Sequence, residues 1–174
     1  MLKWISALEL GQWADTLQAK DKMPELVADL IWATTLRVKR LRFLQGDMGQ
    51  IRGFDGYLDV DSTSPFVPDG KSIWEFGTNG AGKTKAQGDY NKRTAEVDAE
   101  TRAQHSLVIV SPRTWDTPKV KVEDWLDEKN NQGDWKRVVY LDGPLLEDWL
   151  GQSPAVASRW ARYQFRSAPQ QGVL

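Results

Sequence analysis

The sequence predicts an α/β fold with a mixed central sheet of about four or five strands flanked by helices. SLVIV (106–110) is a continuous apolar run with β-branched residues, typical of a strand buried on both faces. Late in the chain strands alternate with helices, which favours parallel neighbours covered on both faces of the sheet. Two earlier strands, 57–60 and 71–76, are separated only by a turn-rich, hairpin-like segment, so the sheet should be mixed.

The predicted elements follow one another from two N-terminal helices to two short C-terminal ones. Ser6 is a candidate N-cap of the first helix, whose apolar residues extend to Leu17 on one face. The second helix is expected after Asp21, with Pro24 in its first turn. The other predicted elements are strands at 37–44, 57–60, 71–76, 106–110 and 137–141, and helices at about 85–103, 122–129, 145–150 and 154–165.

Composition sets broad limits on the class of protein. The 174 residues predict one domain, 1–166, followed by a tail or linker stub at 167–174. The formal net charge of −1 means that a nucleic-acid partner would need a local basic patch. The absence of cysteine excludes disulfides and thiolate metal sites, and fits a cytoplasmic protein. No apolar run approaches the length of a membrane helix, and the nine tryptophans are interpreted as core anchors.

A phosphate-loop pattern offers one functional interpretation. Gly77–Thr84 reads GTNGAGKT, fits G-x-x-x-x-G-K-[ST], follows a predicted strand and predicts an ATP- or GTP-binding protein. However, Glu75 in the preceding strand would repel phosphates. The most apolar strand ends in Ser111 rather than in an acid that would hold Mg²⁺, although the strand 137–141 ends in Asp142. The phosphate loop therefore stays as the alternative.

A pair of acids offers a second interpretation. Asp55 lies just ahead of one strand, and Glu75 lies within the next, so their carboxylates can converge on one Mg²⁺. A bound metal ion can activate water and stabilise the charge that develops on a phosphodiester. Glu75 lies between Trp74 and Phe76, and buried acids are rare unless they are paired or bind a metal.

The run GFDGYLDV…KSIWEFGT…K.KA…DY.KRT resembles the PD-(D/E)XK, or restriction-endonuclease-like, nuclease superfamily. More narrowly, it resembles the nuclease domain often found at the N-terminus of bacterial antiviral-defence proteins, ahead of an NTPase or sensor module. Further similarity lies in SALELGQWAD and LEDWLGQSPAVASRWAR. The resemblance implies a restriction-endonuclease-like core, a Mg²⁺- or Mn²⁺-dependent endonuclease, and DNA as partner, with RNA, a C-terminal NTPase or sensor domain and a homo-oligomer left open.

The resemblance also implies roles for individual residues. Asp55 and Glu75 match the two metal-binding acids, and the main-chain carbonyl of Phe76 is an expected metal ligand. The family's lysine usually follows two residues after the second acid, where this chain has Gly77; Lys85, or less favourably Lys83, would act from the next helix. Further along that helix, residues expected to contact the nucleic-acid backbone are Tyr90, Lys92 and Arg93. A degenerate nuclease fold that only binds nucleic acid is the non-enzymatic alternative.

Overall fold

The computed structural model describes residues 3–43 and 55–165. The strands are β1 (Arg37–Phe43), β2 (Gly56–Asp61), β3 (Gly70–Phe76), β4 (Ser106–Val110) and β5 (Arg137–Leu141). The α-helices are α1 (Ala7–Trp13), α2 (Leu17–Thr34), α3 (Lys83–Glu96), α4 (Ala99–Gln104), α5 (Val122–Gln132), α6 (Gly143–Gly151) and α7 (Pro154–Trp160), and α7 continues into a π-helical segment, Ala161–Phe165. The proposed tail, 167–174, lies outside the described residues.

The five strands form one mixed sheet in chain order, which confirms the predicted fold class. β1, β2 and β3 are successive antiparallel neighbours, whereas β3, β4 and β5 run parallel. β4 is buried at all five positions, as its apolar sequence predicts, because it lies between two parallel strands and beneath helices on both sides. The carboxyl ends of β3, β4 and β5 consequently meet at one edge of the sheet.

Alternating side chains divide the interior into two apolar layers. On one face, Leu58 of β2, Trp74 of β3 and Val108 of β4 pack with residues of α1, α2, α6 and α7. On the other face, Ile73 and Ile109 pack against α3 and α5, in a cluster that contains no described residue of β1 or β2. The tryptophans serve the core as predicted, since six of the nine are buried: Trp13, Trp74, Trp125, Trp135, Trp149 and Trp160.

The first two helices differ from the prediction in where they meet. The Ser6 cap is confirmed: its hydroxyl accepts from the Glu9 N–H at 3.1 Å, and the Glu9 carboxylate accepts from the Ser6 N–H in return. However, the break falls at 14–16, so Leu17 begins α2 and is exposed. Pro24 therefore lies inside α2, where it is buried against the core, and tertiary packing offsets its missing N–H.

The long helix predicted at 85–103 is two helices. α3 ends at Glu96, and α4 starts afresh after Asp98, whose carboxylate accepts the Thr101 N–H at 2.8 Å. Asp98 acts as an N-cap, a local signal that can start a new helix wherever the chain turns. This break lets α3 pack on the sheet independently of α4. None of the helices in the described residues is long and apolar enough to cross a membrane.

Candidate active site

The two predicted acids lie together where β2 begins and β3 ends. Gly56 pairs with Trp74, so the preceding residue, Asp55, lies beside the end of β3. The Asp55 N–H donates to the Trp74 carbonyl at 3.2 Å, and its Oδ2 accepts from the Phe76 N–H at 2.8 Å. The strand pairing therefore fixes the Asp55 carboxylate against the backbone next to Glu75.

Glu75 is held by Arg93, which the sequence predicted to contact the nucleic-acid backbone. Arg93 Nε donates to Glu75 Oε2 at 2.5 Å, and Nη2 donates to Oε1 at 3.0 Å. Both side chains are buried, with exposed fractions of 1% for Arg93 and 11% for Glu75. The remaining Nη1 donates to Glu96 at 2.5 Å. A bidentate pair of this kind fixes the orientation of a carboxylate as well as its charge.

The position of Arg93 follows from the face that α3 turns toward the sheet. The buried residues of α3 are Ala86, Tyr90 and Arg93, spaced by four and three positions. This is the inward stripe of an amphipathic helix, so Arg93 must be paired there. Since the stripe contains a charged residue and few large apolar ones, hydrophobicity alone could not predict which side of α3 faces the sheet.

Burial sets the protonation behaviour of both acids. Burial raises the pKa of Asp55, against the lowering effect of the Phe76 N–H and of Arg93. Burial also raises the pKa of Glu75; the Arg93 hydrogen bonds lower it, and the nearby charge of Asp55 raises it further. Burial acts to lower the pKa of Arg93, but Glu75 and Glu96 raise it above its ordinary value, so Arg93 stays charged. The acids thus form an interacting pair with Arg93 as their buried counterion.

Of the two candidate lysines, Lys85 is the one whose side chain lies beside the end of β3. Its Nζ lies 3.9 Å from the position that a Cβ atom on Gly77 would occupy, and its Cε lies at 3.8 Å. Lys85 therefore fills the space beside the residue where the resembled family carries its lysine. Lys83 is the exposed first residue of α3, and its main-chain N–H donates to Thr117 Oγ1 at 2.9 Å.

A third acid, Asp89, belongs to this neighbourhood and was missed by the sequence reasoning. Its Oδ1 accepts from Lys85 Nζ at 2.6 Å, and its side chain is only 13% exposed. The charge of Asp89 is a further cause that raises the pKa of both Asp55 and Glu75. Its spacing from Lys85, four residues along a helix, was the available signal. Asp89 thus holds the lysine while adding negative charge to the acid pair.

The structure gives the three predicted nucleic-acid contacts different surroundings. Lys92 is exposed on α3. Tyr90 is buried, and its hydroxyl donates to Asp134 at 2.7 Å; Arg93 is buried against Glu75. The latter two are therefore not available to a nucleic-acid backbone in this conformation, since the helix turns them toward the sheet. Tyr90 and Arg93 are structural neighbours of the site instead.

The phosphate-loop segment follows β3 and ends at α3, as the pattern requires, but its helix terminus is already occupied. Gly82 is the N-cap residue of α3, and the Asp116 carboxylate lies so close that any Cβ at Gly82 would overlap it. Thr117 accepts from the first helical N–H. Asp142, the acid proposed for Mg²⁺ in that interpretation, instead caps α6 through the Leu145 N–H at 3.3 Å. A carboxylate at this helix terminus opposes phosphate binding.

The donor chemistry of the acid pair suits a hard divalent cation. Asp55 and Glu75 offer only oxygen ligands, as Mg²⁺ and Mn²⁺ prefer. Arg93 uses one hydrogen bond to each Glu75 oxygen, and a carboxylate has about four lone-pair sites, so acceptor capacity remains. Within 3–43 and 55–165, no group of three or more His, Cys, Asp or Glu side chains is close enough to hold a metal together. Any ion here would therefore keep several waters.

Comparisons with protein-family models, with curated proteins and with solved structures gave no match for this chain.

The raised pKa of Asp55 predicts that its charge destabilises the fold at neutral pH. Asp55→Asn keeps an oxygen acceptor for the Phe76 N–H and removes the charge, so we expect a higher Tm in metal-free buffer at pH 7. The sign follows from linkage: a carboxyl whose folded-state pKa is raised stabilises the fold below its unfolded pKa, and that stability is lost as pH rises through the folded value.

The gain in Tm should consequently shrink as the pH falls toward about 3, below the unfolded pKa of about 3.9, where the wild-type carboxyl becomes protonated in both states. Differential scanning fluorimetry across this pH range measures it. Asp127→Asn, which removes an exposed acid from α5, is the matched control and should leave Tm little changed. A lower Tm for Asp55→Asn at pH 7 would contradict the prediction.

Proposed function

We propose that this chain is a metal-dependent endonuclease domain that hydrolyses DNA phosphodiester bonds. The observation that carries the proposal is the proximity of Asp55 and Glu75 at one end of the sheet, with Lys85 held by Asp89 beside Gly77, two residues after Glu75. Two acids and a lysine beside a metal site form the smallest set of groups that can hydrolyse a nucleic-acid backbone. The further proposal, that the domain is the effector of a bacterial antiviral-defence system, rests on the sequence resemblance.

Each residue has a distinct role in this proposal. Asp55, Glu75 and the Phe76 carbonyl would hold Mg²⁺ or Mn²⁺, which when bound would polarise the phosphoryl group and lower the pKa of a coordinated water. Lys85 would stabilise the negative charge that develops on the phosphoryl oxygens. Asp89 keeps the Lys85 ammonium in place. Arg93 is a positioning residue, since it acts through the Glu75 carboxylate.

A groove along α3 leaves the Lys85 side chain open to solvent. It has a volume of about 640 Å³ and follows the first turns of α3. Lys85 and Asp89 line it from the helix, Asp116 and Thr117 line it from the loop after β4, and the Gly80–Gly82 backbone closes one end. The Lys85 side chain is 41% exposed and can therefore be reached from solvent.

Cleavage of supercoiled plasmid with Mg²⁺ or Mn²⁺ tests the proposal. We expect nicking and linearisation by the wild type, none in EDTA, and a loss of at least about 100-fold in Asp55→Asn, because one of two metal-holding acids loses its charge. Metal binding is measured separately as a rise in Tm with Mn²⁺, which reflects preferential binding to the folded state. This rise should be absent in Asp55→Asn.

The outcomes separate the rival functions. Wild-type cleavage that persists in Asp55→Asn would reject the site, even if the protein is a nuclease. If the protein binds DNA but shows neither cleavage nor a metal-dependent rise in Tm, it is not a nuclease and is instead a degenerate binding module. Tight ATP or GTP binding that is lost in Lys83→Ala would reject the assignment in favour of the phosphate loop.

A further inference from the structure

Beside the candidate active site, one half of a sheet face carries charged side chains, and among the described residues it lies outside the apolar layer under α3 and α5. We call it the open face, meaning the side of β1 and β2 that carries Arg37, Lys39, Arg40, Arg42, Tyr57, Asp59 and Asp61, together with Lys71 of β3. The opposite side of these strands packs into the core through Leu58 and Val60. No described residue of β1 or β2 belongs to the apolar cluster under α3 and α5.

A β-bulge concentrates basic residues on this face. Val38 pairs with Val60 and Arg40 with Asp59, so Lys39 is an extra residue at the register shift. Its Nζ contacts Asp61 at 3.0 Å, which places it with the open-face residues rather than in the core. Without the bulge, strict alternation from Val38 onward would turn Arg40 and Arg42 toward the core and Leu41 and Phe43 toward solvent. The bulge therefore keeps the basic residues of β1 together on one face.

The open face carries a net positive charge, although the whole chain does not. Five basic side chains, Arg37, Lys39, Arg40, Arg42 and Lys71, are all exposed. They stand against two half-exposed acids, Asp59 and Asp61, which leaves an excess of three positive charges. The formal net charge of the whole chain is −1. Such clustering produces the local basic patch that a nucleic-acid partner needs.

The open face also extends along β1 and β2 toward the acid pair. Arg42 pairs with Tyr57, only two residues after Asp55, and Arg40 lies over the Tyr57 ring at 5.4 Å from its centroid. Tyr57 in turn pairs with Ile73, two residues before Glu75 and on the same side of β3. A seven-residue strand extends over roughly 23 Å. This length is enough to contact several phosphates along one strand of a DNA duplex.

We infer that the open face binds the sugar-phosphate backbone of duplex DNA and leads it toward Asp55 and Glu75. Basic residues on an edge strand also prevent pairing between sheets, but that role requires neither the bulge nor the alignment with the acids. The surface pairs of Lys39 with Asp61 and of Arg40 with Tyr57 are weak enough to exchange for phosphates. The inference deepens the proposed function, and its binding component is tested without cleavage.

The test measures binding of a fluorescein-labelled 30-base-pair DNA duplex by anisotropy, in EDTA, from 50 to 200 mM KCl. Arg40→Ala/Arg42→Ala should bind about 10- to 100-fold more weakly, and the slope of log K against log salt should fall by about two, because two phosphate contacts are lost. The matched control is Arg137→Ala/Arg162→Ala, which removes two exposed arginines, one from the opposite edge strand and one from the π-helical segment. It should bind as the wild type does.

Several outcomes would overturn the inference. These are no wild-type binding, an Arg40→Ala/Arg42→Ala variant that binds normally, an equal loss in both double variants, or binding only to the matching RNA duplex. Cleavage assays with Mg²⁺ on the same proteins separate the two proposals. If DNA binding depends on the open-face arginines but the plasmid stays intact, the nuclease proposal is rejected and the open-face inference is retained. If the arginine substitutions leave cleavage unaffected, the open-face inference is rejected and the nuclease proposal is retained.

Discussion

Glu75→Ala is expected to abolish cleavage and to cost about 3 kcal/mol or more in the free energy of unfolding. The substitution leaves Arg93, only 1% exposed, with Glu96 as its remaining partner among the described residues. Removing one partner of a buried ion pair typically costs about 3 to 5 kcal/mol, because the other charge stays buried. Against a total stability of about 5 to 15 kcal/mol, this loss should be plain in urea denaturation.

A double variant separates folding from chemistry. Glu75→Leu/Arg93→Met replaces both charges by apolar side chains, and such replacements of buried ion pairs are often neutral or stabilising. We expect it to recover most of the stability lost in Glu75→Ala while remaining inactive. The coupling energy is obtained by completing a double-mutant cycle with the single variants Glu75→Leu and Arg93→Met. Glu96→Gln, which removes the more exposed partner of Arg93, is the milder control.

Two results would contradict this reasoning. If the urea midpoint of unfolding of Glu75→Ala equals that of the wild type, the buried pair does not hold α3 to β3 in the way its geometry indicates. If the refolded double variant cleaves DNA, Glu75 is not part of the active site, whatever its burial and its raised pKa.

The second large effect concerns the lysine. Lys85→Ala should lower the rate of cleavage by about 10²- to 10³-fold, the usual effect of removing one group that stabilises developing charge. Lys83→Ala should retain activity, since Lys83 is exposed and lies in the capped first turn of α3. The comparison is sharp because the phosphate-loop interpretation assigns the essential role to Lys83.

Moving the lysine back to the strand gives a stronger test. Gly77 is not among the described glycines with a positive φ, and a Cβ placed there would meet only the end of the Lys85 side chain, at 3.8 and 3.9 Å. Lys85→Ala removes that side chain, so Gly77→Lys/Lys85→Ala should fit and regain at least about tenfold over Lys85→Ala, out of the 10²- to 10³-fold loss. Gly77→Ala/Lys85→Ala, which adds a side chain without an ammonium group, should not. Equal single-turnover rates for the two double variants would reject the role given to Lys85.

The strands, and the positions of Asp55 and Glu75 along them, could be predicted because their signals are local. Alternation and apolar runs located all five strands to within one or two residues, and Ser6 with Glu9 carried its own capping signal. Helix limits were less predictable: the first two helices meet at 14–16 instead of near Asp21, and the helix predicted at 85–103 breaks at Val97. Pro24 shows the same limitation: its burial in α2 offsets a rule that holds for isolated helices.

Local patterns were enough to predict the α/β class, the five strands, and the positions of Asp55 and Glu75 beside the ends of neighbouring strands. The partners of those acids depend on packing, since Arg93 lies 18 residues from Glu75 along the chain, and a β-bulge at Lys39 sets which face of β1 is basic. Periodicity fixes which residues share a face, whereas packing fixes the direction in which that face turns. A helix stripe of Ala86, Tyr90 and Arg93 becomes the inward one only when the sheet beneath offers a carboxylate to receive its charge.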